Sequence, residues 1–214
     1  MNIDKAIRKR KKSYKRFMLS MSFIFFILPI AFILSGKFYL FYIIYLIIIE
    51  ILIFLVSIIK MSNESLKFYC DGYKLKIIFG IKRDSIKIIC EKVILVHVEK
   101  YENQNKNKIK DIDDFKIIIL ATSKFRNNRM IAVDLNFLKR YPYVADHYIN
   151  LKSIYPEKNF YYTVIKRAGI KKYPLLDCIY KNCVYAHFTD DFINRLKFYR
   201  ENSEKYNLTK NNYK

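Results

Sequence analysis

The chain has 214 residues, with 40 lysines and arginines against 19 acids, 17% aromatic residues and no tryptophan. Its length suits one extramembrane domain plus a small membrane element. Four glycines leave almost no room for phosphate-cradling loops, and four cysteines without a CxxC exclude the common zinc spacings.

The abundance of Lys, Ile, Asn, Tyr and Phe resembles the codon bias of an AT-rich genome, so part of the net +21 is background rather than a binding signal. Residues 1–16 hold eight basic groups and one acid, net +7. The run "IRKRKKSYKR" could serve as a nucleic-acid arm, but directly before an apolar segment it reads as a topology determinant that also attracts anionic headgroups. Residues 17–34 carry no charge, and residues 38–59 carry one, Glu50. Each run is about long enough to span the hydrocarbon core. The connector 35–37 makes them an antiparallel hairpin, 17–60 in all. A cleaved signal peptide is disfavoured, because no small-residue cleavage site follows and a second span arrives at once. Residues 61–214 hold 30 basic and 17 acidic groups, net +13, whereas the connector holds only Lys37. The positive-inside rule therefore predicts a two-pass cell-membrane protein with both termini in the cytoplasm.

Glu50 lies ten residues before Lys60, about 15 Å up the second helix and so near the bilayer midplane. A carboxylate exposed to lipid there is costly, so it should be protonated, paired or both. Phe25 lies at the same depth on the first helix, and Pro29 cannot donate to the Phe25 carbonyl. The expected contact is a hydrogen bond from protonated Glu50 to that carbonyl or to a nearby hydroxyl. The alternatives are a contact with another copy or a membrane partner, and a proton or ion pathway.

Beyond the polar linker 60–65, short β-prone runs follow at 66–70, 73–80, 85–90, 93–100, 115–122 and 129–135, with a turn at Asp71-Gly72 and a charged loop over 101–114. Tight connections predict a curled antiparallel sheet or partial barrel. The period then becomes helical over 136–152, with Asn136 as candidate N-cap and Pro142 forcing a break or late start. A strand is expected at 159–167, a helix over 173–188 and another over 189–206 capped by Thr189, with 207–214 a tail.

The stretch "FYCDGYKLKIIFGIKRDSIKIICEKVILVHVEK" and the later "FKIIILAT" and "RMIAVDLNFLKR" carry a resemblance. Two spans, short strands and a closing helix make the chain similar to bacterial membrane proteins with a pleckstrin-homology-like (PH-like) domain. The similarity is a pattern of apolar residues and turns covering about 66–151, and it leaves 152–206 as an α-rich extension. It implies a membrane α-helical hairpin followed by an α+β domain, an antiparallel PH-like β-sheet or partial barrel closed by helices. It also implies a membrane-proximal scaffold or sensor and brings no catalytic residues.

No nucleophile signature is present. Asp113-Asp114 sits in the charged loop, and Asp190-Asp191 opens a helix, where the helix dipole explains it. His97, His147 and His187 are isolated in sequence, and Cys70, Cys90, Cys178 and Cys183 read as reduced thiols. Basic turns supply a candidate headgroup patch of Lys82, Arg83, Lys124, Arg126 and Arg129. No enzyme activity, cofactor or metal is expected. The expected partners are the bilayer, a membrane protein or second copy, and anionic lipids; nucleic acid is not among them. The expected function is a non-catalytic scaffold or regulator, and the alternative is an oligomeric transport or membrane-perturbing component acting through Glu50.

Overall fold

The computed structural model describes residues 2–36, 39–80, 84–100, 114–124 and 129–203. Helix α1, Ile3–Ser35, is 33 residues long, about 50 Å at 1.5 Å per residue. That exceeds the hydrocarbon thickness because the basic segment continues the helix outside the charge-free run. Gly36 ends it with φ +65°, its N–H donating to the Ile33 carbonyl at 3.2 Å. Helix α2, Leu40–Glu64, returns alongside. Both are long and apolar enough to cross a membrane, and none of either apolar window is buried inside the protein. Lys60 stands 5.1 Å over the Phe17 ring, where one apolar run begins and the other ends.

Strands β1 (Leu66–Cys70), β2 (Lys74–Phe79) and β3 (Asp84–Ile89) form an antiparallel sheet in that order. In β2, alternation sends Leu75, Ile77 and Phe79 inward and Lys74 and Lys76 to solvent. A 3-10 turn at Cys90–Lys92 then takes the chain out of this sheet. Strands β4 (Val93–Lys100), β5 (Phe115–Ala121), β6 (Ile131–Ala132), β7 (Tyr161–Ile165) and β8 (His187–Phe188) build a second sheet, ordered β6-β7-β5-β4-β8. All its pairs are antiparallel except β4 with β8. The expected single curled sheet is thus two sheets, and no closed sheet forms among the described residues. The 3-10 turn separates them, and β7, the strand expected at 159–167, enters between β5 and β6 from beyond the 66–151 stretch.

β5 is buried on both faces, which explains its unbroken "IIILA". One face packs with the first sheet, α5 (Tyr173–Asn182) and α6 (Asp190–Asn202) around Phe115, Ile117, Leu176 and Phe192. Ile118 and Leu120 on the other face meet Phe137 of α3 (Leu135–Arg140) and Val144 of α4 (Pro142–Ile154). Pro142 makes the break here, as the first residue of α4. Asp134, not Asn136, caps α3, its carboxylate accepting from the Phe137 N–H at 2.9 Å. The helix expected over 173–188 stops at Asn182, because Cys183 leaves helical geometry and β8 follows.

The first turn of α1 is part of this domain. Ile3 is fully buried in the same core, Ile7 packs against it, and the Ser203 hydroxyl donates to Asp4 at 2.9 Å.

Cys70 and Cys178 are joined in a disulfide with Cα atoms 6.7 Å apart, in place of the expected reduced thiols. Both residues lie far apart in sequence, so only the docking of α5 on β1 could reveal the pair.

The histidines also meet. Buried His97 on β4 stacks on Tyr143 at 4.8 Å, Tyr143 touches His147 at 5.1 Å, and His147 touches His187 at 5.3 Å. The Thr189 hydroxyl is 3.0 Å from His97 Nδ1, and its side chain makes no cap bond to α6. Burial holds the His97 imidazole below its ordinary pKa, and His147 adds to this; Asp191 and Glu99 oppose it. The unfolded chain therefore binds the His97 proton more readily than the folded one. This contribution is intact above the unfolded value of about 6.5 and is lost as pH falls below it. The domain should unfold at lower denaturant at pH 5.5 than at 7.5. His97→Gln, which cannot titrate, should narrow that difference, and an equal pH response in both proteins would refute the assignment.

Candidate functional site: a basic cleft beside the hairpin

A cleft of about 600 Å³ opens between the first sheet, β7 and α3. This is within the usual range for small-ligand sites, about 300–1,000 Å³. Phe79 and Ile86 of the first sheet and Phe137, Tyr141 and Tyr162 form apolar walls. The Phe137 and Tyr162 rings stack at 3.8 Å. Burial, then Asp134, raises the Tyr162 phenol above its ordinary pKa and keeps it a hydrogen-bond donor.

Charge in the lining is one-sided. Arg129, Arg140, Lys166 and Arg167 face a single acid, Asp134. Arg129 also lies 5.6 Å over the Phe79 ring. Lys166 and Arg167 follow β7 directly, in "IKRAGIKK". Ala168 at φ +86° and Gly169 at φ +49° then turn the chain sharply into a 3-10 turn at Gly169–Lys172.

This strap is fixed at both ends. Lys172 is fully buried; its ammonium donates to the Phe115 carbonyl, to the Lys166 carbonyl at 3.2 Å, and pairs with Asp114 at 2.7 Å. Burial draws its pKa below the ordinary lysine value against the opposing pull of Asp114. Along its length the strap also grips the last turn of α2. Arg167 donates to the Ser62 hydroxyl at 2.9 Å, and Lys171 donates to the Glu64 carbonyl at 2.7 Å. The buried Glu64 carboxylate takes Arg10 of α1 on Oε1 at 2.8 Å and the Lys171 ammonium 3.2 Å from Oε2. The latter is an ion pair without the alignment of a hydrogen bond. Both helices of the hairpin and the cleft strap therefore converge on Glu64. Gly80 joins them, its N–H donating to Ser65 at 3.3 Å.

The sequence-derived patch is only partly here. Arg129 lines the cleft, and Lys124 is exposed but is not a lining residue. Lys82, Arg83 and Arg126 fall outside the described residues. Arg140, Lys166 and Arg167 were missed because α3 and the end of β7 meet only through the fold. The dense "IKR…IKK" doublets were the one local signal. Among the described residues no group of three or more His, Cys, Asp or Glu could hold a metal ion.

Glu50 is half-buried on α2, and Pro29 lies inside α1. Phe25 packs edge-on against Phe26 at 5.7 Å. Among the described residues Glu50 Oε1 is buried and has no hydrogen-bond partner, so that oxygen does not engage the Phe25 carbonyl. Glu50→Leu should therefore favour insertion of the second helix by about 2.5–3.5 kcal/mol, the penalty for a central acidic residue. An insertion assay with glycosylation reporters reads this; unchanged or poorer insertion would mean that the carboxyl is satisfied.

The cleft offers clustered cations over an aromatic floor, chemistry suited to an anion that carries apolar substituents. No family model, curated protein or solved structure matches the chain.

Proposed function

We propose that the chain is a two-pass cell-membrane protein with both termini in the cytoplasm. Its PH-like domain acts as a non-catalytic scaffold or regulator that holds the headgroup of an anionic phospholipid in the basic cleft. The observation that carries this reading is the double role of Arg167, which lines the cleft and donates to Ser62 on the last turn of α2 at 2.9 Å. A headgroup at that rim keeps its acyl chains beside the hairpin. Charge supports the orientation, with net +7 before the hairpin and net +13 after it against Lys37 alone in the connector.

The test is native mass spectrometry of the full chain released from its own membranes in mild detergent. Retained anionic phospholipid at one per chain supports the proposal; neutral lipid alone, or none, refutes it. The reading as an oligomeric transport component rests on Glu50 Oε1, buried without a partner among the described residues. It requires oligomers that Glu50→Leu abolishes in the same spectra.

A further inference from the structure

The fold brings the four cysteines together two by two. Cys70 closes β1 and meets Cys178 in α5. Cys90 follows β3, and its thiol lies near that of Cys183, the C-cap of α5. Both pairs thus run from the first sheet to one helix. Their exposure differs: Cys70 and Cys178 are half-buried, whereas Cys90 and Cys183 are 1% and 0% exposed.

Helix α5 is a junction. It starts at Tyr173, immediately after the cleft strap. Its Asp177 accepts from Arg200 of α6 at 3.0 and 2.9 Å and pairs with Lys181 at 2.7 Å. Whatever fixes α5 on the first sheet also fixes where the strap ends.

We infer that Cys70 and Cys178 form a reversible thiol–disulfide clasp between the first sheet and α5, with Cys90 and Cys183 a sealed dithiol beneath it. This rests on the cytoplasmic placement proposed above, since disulfides of cytoplasmic domains are characteristically transient and redox-sensing. Exchange needs a thiolate within reach of an incoming disulfide, which the outer pair allows and the inner pair does not. The neighbouring Cys90 thiol, and then burial, push the Cys183 thiol far up; the same contact draws the Cys90 thiol down, and it is the 1% exposure of Cys90 that withholds it from an incoming disulfide.

The co-reactant is a small-molecule disulfide, RSSR. One protein thiolate attacks it, forming a mixed disulfide and releasing RS⁻. The second protein thiolate then displaces the other RS⁻ and closes the clasp. Two protein thiols and one RSSR become one protein disulfide and two RSH, and reduction runs the same steps backwards.

The experiment equilibrates the detergent-solubilised full chain across ratios of reduced to oxidised glutathione. Thiols are trapped with a maleimide, before and after denaturation, and mapped by peptide mass. The expected result is two thiols that appear and disappear with the ratio in the native protein, mapping to Cys70 and Cys178. Cys90 and Cys183 should react only after denaturation, at every ratio. Cys178→Ser should leave Cys70 as a stable mixed disulfide, and Cys70→Ser provides the same check from the other side. Outer thiols that stay free at every ratio, a bond that no ratio opens, or a bond mapping to another pair would each overturn the inference. The readout involves no lipid, so it stands or falls separately from the headgroup proposal.

Discussion

Ile3→Ala is expected to lower the stability of the α+β domain by about 3 kcal/mol, the usual cost of emptying a fully buried isoleucine site. For a domain of this size that corresponds to a fall in Tm of roughly 10 °C. Ile3→Asp should cost more, because it adds a buried charge without a partner. The reason is geometric. Ile3 is 0% exposed, in a core that also holds Phe115, Leu176, Phe192 and Tyr199. Asp4 and Arg10 then fasten the next turns of α1 to Ser203 and Glu64. Thermal unfolding of the full chain in detergent, followed by near-UV circular dichroism, measures the effect. Lys9→Ala, at an exposed position on the same helix, is the control and should melt like the wild type. If Ile3→Asp also melts like the wild type, the basic segment is a free arm and the hairpin and domain are mechanically separate. If it collapses as expected, α1 links its apolar segment to the core as one rigid rod.

How much of this was legible in the sequence depends on the range of the contacts. The Asp71-Gly72 turn could be read locally. Gly72 takes φ +81°, and Asp71 Oδ1 accepts from the Lys74 N–H at 3.1 Å. The alternation in "KLKIIF" and the break at Pro142 were readable for the same reason. Three long-range features were not. β7 pairs with β5 across forty residues or more, so its insertion between β5 and β6 leaves no local mark. The meeting of His97, His147 and His187 depends on β8 running parallel to β4, a pairing of two residues. The docking of α1 was hidden by charge: the basic run dominated the reading of residues 1–16. Even so, Ile3 and Ile7 sit one helical turn apart in that run, an apolar stripe that marks a packed face. The candidate patch was likewise assembled from local signals, and of its described members Arg129 lines the cleft and Lys124 does not. Basic turns were grouped because they were turns, whereas the fold gathers cations from β7, α3 and the approach to β6.

Replacing Arg129, Arg140, Lys166 and Arg167 together with Gln should weaken binding of a short-chain anionic phospholipid to the full chain by about a thousandfold. Each basic residue beside an anionic lipid surface is worth about 1 kcal/mol, so four supply about 4 kcal/mol, or three decades. Titration in detergent by native mass spectrometry measures this. The reduction should shrink at high salt, because a cleft open to solvent is screened over about 8 Å at physiological ionic strength. Exposed Lys9, Lys11 and Lys12 carry comparable charge on α1 without lining the cleft. Their replacement by Gln should leave the affinity within about twofold, as expected for remote, screened charges. Equal loss in both sets would mean that net charge, not the cleft, attracts the lipid. A second arm uses inorganic phosphate as the competitor. If phosphate displaces the lipid at similar concentration, the cleft recognises a free anion and the aromatic floor contributes nothing. If only the lipid binds tightly, Phe79, Phe137 and Tyr162 are contacting its glycerol or upper acyl chains. Arg167 separates holding from positioning. Arg167→Lys keeps the charge but loses the guanidinium fork that can serve both Ser62 and a phosphate. It should therefore cost less affinity than Arg167→Gln while still loosening the strap from α2. Proteolysis after Lys166 or Arg167 would detect that loosening independently of any lipid.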